Sequence, residues 1–142
     1  MNRNTWAALL ASTAVAIVLI LGFGVLGSPG KQRLVGSDLR RVQLLVELAQ
    51  QIKLKWQTSA RVPASLDEFP KVKTQDPVSA RVFSYHPKLN GQYELCASFA
   101  TDNRNLPNTN TADAWLHPRG DYCFQLDASK EVPSAPYYDP PF

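Results

Sequence analysis

The sequence predicts an α+β protein: an N-terminal transmembrane helix, then an amphipathic helix packed on a small antiparallel sheet, with an extended Pro-rich C-terminal tail. Three observations predict it. No charged residue occurs between Arg3 and Lys31. Apolar residues then recur at three- and four-residue steps from Val42 to Trp56. Beyond them, three short segments alternate apolar and polar residues, the signature of strands with one buried face.

Roughly 20 apolar residues at about 1.5 Å each cross the roughly 30 Å hydrocarbon layer of a bilayer. The run from Trp6 to Leu26 has that length, and Trp6, Leu10, Val15, Ile17, Leu19, Leu21, Phe23 and Leu26 are its expected anchor residues. Trp6 suits the lipid–water interface. A cleaved signal peptide is the rival reading, with Val25-Leu26-Gly27 as a small-residue site. Signal h-regions run about 7–15 residues, however, and this stretch is longer. An uncleaved anchor is therefore expected. Ala7, Ala8, Ala11, Ser12 and Ala14, with Gly22 and Gly24, are small enough to let a neighbouring helix approach, although such residues are also common in any bilayer helix.

The net charge of +3 is mild, and its residues are interspersed with acidic ones. No basic stripe carries interleaved aromatics, so nucleic acid is not an expected partner. Lys31, Arg33, Arg40 and Arg41 follow the apolar run, which by the positive-inside rule favours a cytoplasmic C-terminal side. The cysteines, treated below, favour an oxidising compartment, and the periplasmic orientation is adopted on that ground.

Ser28 to Arg33 reads as a hinge, and Ser37 or Asp38 as the N-cap of a helix from Leu39 to Trp56. Val42, Leu45, Ala49, Ile52 and Trp56 form its apolar stripe, with Arg40, Arg41, Gln43, Glu47, Gln50 and Lys53 on other faces. Val62 to Phe69 is a turn feeding a short helix, in which Ser65 and Glu68 have capping-box spacing and which Pro70 ends. Asp76-Pro77 predicts an extended entry to the sheet. Strands are expected at Arg81–His86 and Gln92–Ala100 around the turn Pro87–Gly91, and at Asp121–Asp127. Thr101 to Gly120 is polar and reads as a long surface loop. The tail after Asp127 holds Pro133, Pro136, Pro140 and Pro141 and is expected to be extended.

Tyr93, Leu95, Ala97 and Phe99 share one strand face, as do Tyr122, Phe124 and Leu126; Cys96 and Cys123 point away from those sets. This matched phase and the even count predict a Cys96–Cys123 disulfide outside the cytoplasm, a reduced pair being the alternative. His86, Cys96, His117 and Cys123 lack the short regular spacing of structural zinc ligands, and no metal or cofactor is expected. Catalysis is not expected either. Asp67-Glu68 is accounted for by helix-start electrostatics, and neither a Gly-x-Ser-x-Gly elbow nor a Gly-rich phosphate loop occurs. Trp115 in the long loop and Tyr137, Tyr138 and Phe142 in the tail are the expected partner-binding residues, because aromatics on extended backbone offer contact area at low entropic cost.

From Leu39 to Asp127 the chain resembles the head domains of pilins and type II secretion pseudopilins. The resemblance is carried by the amphipathic helix, Val62-Pro-Ala-Ser-Leu-Asp-Glu68, the Asp76-Pro77 entry, the hairpin Phe83-Ser-Tyr85 to Tyr93-Glu-Leu-Cys-Ala97, and Tyr122-Cys-Phe124. The family's processing site, Gly before Phe or Met with a Glu five residues into the mature helix, is matched only at Gly22-Phe23, near the end of the apolar run, and the first Glu is Glu47.

The expected organisation is an anchor and hinge over residues 1–30, a pilin-like domain over 31–127, and a tail over 128–142. The expected role is a non-enzymatic, single-pass accessory subunit of a larger respiratory, photosynthetic or secretory membrane complex. Its head would lie on the periplasmic side of a bacterial inner membrane, and its partners would be lipid and other integral subunits. A pseudopilin-like component of a secretion or pilus system is the alternative. A solute-binding or sensor domain using Trp115 and His117 is a further one.

Overall fold

The computed structural model describes residues 2–26, 28–70, 74–105, 109–110, 113–135 and 137–138. Helix α1 spans Arg3–Leu26 and helix α2 Pro29–Ser59. Strands β1 (Ser84–Pro87), β2 (Gln92–Phe99) and β4 (Gly120–Asp127) form an antiparallel sheet in the order β1-β2-β4. A second, two-residue antiparallel pairing joins β3 (Thr109–Asn110) to β5 (Tyr137–Tyr138). This is the α+β class read from the sequence.

Two compact units divide the chain, residues 1–33 and 34–140. In the first, α1 offers its apolar side chains to the surroundings all along the span Thr5–Gly22, none of which is buried. The second holds the core. Val42, Leu45, Val46, Leu48, Ala49 and Ile52 of α2 pack against Tyr93, Leu95, Ala97 and Phe99 of β2 and Phe124 of β4. Two contacts fix the direction of packing. The ring of Trp56 lies against Gly91 at the start of β2, and Asp38 binds the backbone of Ala100 and Thr101 at its end. Eighteen helical residues from Asp38 to Trp56 rise about 27 Å, and nine extended residues from Gly91 to Ala100 about 30 Å. The helix and the central strand are therefore matched in length and run antiparallel.

Two local expectations are corrected. The segment Pro29–Arg33 is helical rather than a hinge, and Pro at the first helical position is favoured because its missing N–H has no intrahelical acceptor there. Asp38 is accordingly not an N-cap. It is a buried residue in the interior of α2. Asp76-Pro77 likewise opens a tight turn rather than an extended entry. Asp76 Oδ1 accepts from the amides of Val78 and Ser79, and the Phe83 amide donates to Thr74 O, closing a small loop ahead of β1.

Ser65 caps the turn that follows it as expected, but the bonds are displaced by one residue from those of a full capping box. Its hydroxyl accepts from the Asp67 amide, and Glu68 Oε1 accepts from the Ala64 amide, framing the 3-10 turn Leu66–Glu68. Lys55 of α2 pairs with Glu68, and Tyr85 Oη donates to Pro63 O at 2.9 Å, so this turn is fastened to both helix and sheet.

Candidate functional site

Helix α1 carries the residues expected to form an anchor. Trp6, Leu10, Val15, Ile17, Leu19 and Leu21 are all more than half exposed, so their apolar surface is unburied by the chain itself. Phe23 and Leu26 lie outside the described side chains. Burying one large aliphatic side chain is worth about 1.5–3 kcal/mol. A helix apolar on every side gains that free energy only in a medium that surrounds it. One helix of this chain is thus long and apolar enough to span a membrane.

The second element is the outer face of the sheet. Alternation along the strands sends Tyr85, Leu95 and Phe124 inward in one cross-strand row, and Ser84, Cys96 and Cys123 outward in the next. Cys96 and Cys123 are direct cross-strand neighbours and form a disulfide, with Sγ–Sγ 2.10 Å. The next outward row is His86, Glu94 and Gln125. Here Lys88 Nζ pairs with Glu94 and donates to Gln125 Oε1 at 2.9 Å, while Gln125 Nε2 donates to Glu94 Oε1 at 2.6 Å. These hydrogen bonds, that from Lys88 foremost, hold the Glu94 carboxyl below its ordinary range. A cleft of about 370 Å³ opens over this face, with Arg81, His86, Asp121 and both cysteines in its lining.

The four residues weighed as metal ligands are not brought together. His86, Cys96 and Cys123 share the outer face, whereas His117 is on the core side, its ring stacked on Phe99 at 3.6 Å. Glu94 does approach both sulfurs, all within 4.8 Å. The sulfurs are bonded to each other, which leaves the carboxylate as the one ligand atom on offer.

The third element is the loop and tail, where the structure reassigns a residue. Trp115, expected among the partner contacts, is fully buried and packs on Phe124 with ring centroids 4.9 Å apart. Its Nε1–H donates to Pro133 O at 3.1 Å, so it ties the start of the tail to the head rather than meeting an outside partner. His117 is equally buried. Asn103 pins both, donating from Nδ2 to Trp115 O and accepting at Oδ1 from the His117 amide. The described end of this segment, from Trp115 to His117, therefore adds to the core, because burying large aromatic rings is strongly favourable once their polar atoms are paired. Neither ring borders this cleft, and Trp115 belongs to the core cluster. Tyr137 and Tyr138 lie on β5, their side chains outside those described, and Phe142 is outside the described residues.

Sequence reading missed a buried ionic network. Arg41 Nη1 binds Asp38 Oδ1 and its Nε binds Asp76 Oδ2, both at 2.6 Å. Burial alone would lower the Arg41 pKa, but the two carboxylates more than offset this and raise it. Burial would raise that of Asp76, yet Arg41 and the Val78 and Ser79 amides hold it below the ordinary value. The Asp38–Arg41 spacing of three residues was a signal of an ion pair, but not of its burial.

No family model, curated protein or solved structure matches this chain. What the geometry defines is a class: an apolar N-terminal helix, a second helix and a three-stranded antiparallel sheet, an order compatible with a pilin-like α+β fold.

Proposed function

We propose that this protein is a non-enzymatic, single-pass accessory subunit of a larger membrane complex, with a pilin-like head on the periplasmic side of a bacterial inner membrane. The observation that carries the reading is α1, whose Thr5–Gly22 span is apolar and wholly unburied within the chain. Lipid covers such a helix, and neighbouring helices approach where Ala7, Ala8, Ala11 and Ala14 keep it slim. The Cys96–Cys123 disulfide supports the periplasmic side, since such bonds persist in oxidising compartments.

Extraction of membranes in mild detergent, followed by identification of co-purifying chains, tests it. The expected result is an intact chain retained by sodium carbonate washing and recovered with integral membrane subunits. A protein released alone into the soluble fraction without residues 1–26 would overturn the reading.

The pseudopilin alternative is favoured by one feature, the Gly22-Phe23 pair preceding a helix-and-sheet head. Under that reading, N-terminal sequencing of the mature chain begins at Phe23. Under the leading one it begins at or beside residue 1.

A further inference from the structure

We infer that the first turns of α2 form a binding surface for the phosphodiester headgroups of anionic membrane lipids, with Lys31 and Arg33 as its contacts. This rests on the membrane-anchoring reading above. Both side chains are exposed, and among the described residues neither pairs with a carboxylate. The chain has no acidic residue before Asp38. Asp38 is itself buried and already engaged by Arg41 and by the Ala100 and Thr101 amides. The positive charge of this segment is therefore uncompensated locally.

Its placement follows from chain geometry. From Leu26 to Pro29 the backbone spans at most about 10.5 Å, and each helical residue after that adds about 1.5 Å. The Cα atoms of Lys31 and Arg33 thus lie within about 17 Å of the end of α1 even where the connection is fully stretched. The headgroup layer extends about 5–8 Å beyond the hydrocarbon, and Lys and Arg side chains reach back toward it along their flexible stems. A cation so placed meets lipid phosphate within a Debye length or so, where each is worth about fivefold in association with an anionic surface. Phosphatidylglycerol and cardiolipin carry this chemistry; a zwitterionic headgroup carries no net charge to reward it. Arg33 adds a planar fork that engages two phosphate oxygens at once.

The test uses the full chain reconstituted in phosphatidylcholine vesicles doped with spin-labelled phosphatidylglycerol or spin-labelled phosphatidylcholine. Electron paramagnetic resonance then reads the fraction of each lipid immobilised at the protein surface. The expected result is about three- to tenfold selectivity for the anionic lipid, falling toward onefold in 0.5 M NaCl and in the double variant Lys31→Gln, Arg33→Gln. Equal immobilisation of both lipids by the native chain overturns the inference and leaves the anchor standing. Selectivity unchanged in the double variant overturns the assignment to these residues. Selectivity abolished by millimolar inorganic phosphate, but not by NaCl of the same ionic strength, overturns a headgroup site in favour of free phosphate. No immobilised component of either lipid overturns the anchoring reading, and this inference with it.

Discussion

Asp38 and Thr101 stand sixty-three positions apart and share two hydrogen bonds: Asp38 Oδ2 accepts from the Thr101 amide at 2.7 Å and from its hydroxyl at 2.6 Å. With the Ala100 amide on Oδ1, one buried carboxylate terminates β2 against α2. Two kinds of variant separate its contributions. Thr101→Val removes one hydroxyl bond and should cost about 1 kcal/mol. Asp38→Ala takes away one of the two carboxylates paired with Arg41 and leaves two amides without their acceptor, and should cost about 3–5 kcal/mol. Chemical denaturation of the detergent-solubilised chain, followed by tryptophan fluorescence, reads both. Equal costs would mean that the carboxylate does not organise the junction.

The same network makes a charge-free replacement informative. Arg41→Met alone leaves Asp38 and Asp76 buried without their cation and should destabilise strongly. Converting all three, Asp38→Asn, Arg41→Met and Asp76→Asn, removes the charges together and should recover part of the loss, because a buried ion pair contributes less than its disruption costs. A triple variant no more stable than Arg41→Met would count against this account.

Acid should loosen the head in two stages. Burial pushes the His117 pKa below its ordinary 6.5, and its contact with Pro118 O only partly counters that. The folded state therefore binds fewer protons than the unfolded state just below pH 6.5. Stability from the neutral ring is fully present above that value and is lost as pH falls from it toward the folded pKa. Asp76 is depressed instead, so its contribution is present above its ordinary carboxylate value of 3.8 and is lost as pH falls through the lower folded one. Denaturation midpoints measured between pH 7.5 and pH 3 should show both stages. His117→Gln should flatten the upper one while leaving the lower in place.

Pairing Cys96 with Cys123 closes a loop of sequence separation 27, worth about 3.5 kcal/mol in the chain-entropy model. Cys96→Ala with Cys123→Ala should lower stability by up to that amount. In the native protein, alkylation under denaturing conditions without reductant should add no mass. Full alkylation of both thiols would show the pair to be reduced as isolated.

These positions also show what the sequence made legible. The strand phase placed both cysteines outward, and the Val42-to-Trp56 periodicity marked the helix face that forms the core, because each pattern is a property of its own segment. Asp38 resisted such reading. A polar residue ahead of an apolar run has the look of a cap locally, and the partners that hold it buried are at Arg41, Ala100 and Thr101. Trp115 and His117 failed similarly. They sit in a polar stretch whose composition reads as surface, and Asn103 draws both back onto Phe99 and Phe124 through bonds that no local period encodes.

Gly91 is the site where backbone and packing constrain one residue together. It has φ of +80°, and a Cβ added there would stand 3.1 Å from the Trp56 ring. Its carbonyl also accepts from the Ala128 amide at 2.8 Å, which couples the β1–β2 turn to the end of β4. Gly91→Ala should therefore cost about 1–3 kcal/mol, combining the left-handed backbone with displacement of the indole. Adding Trp56→Leu opens space beside the new methyl group and should recover the steric part alone. Measuring both single variants and the double closes a thermodynamic cycle. A coupling energy near zero would show that the ring does not set the requirement for glycine, leaving the backbone angle as its cause.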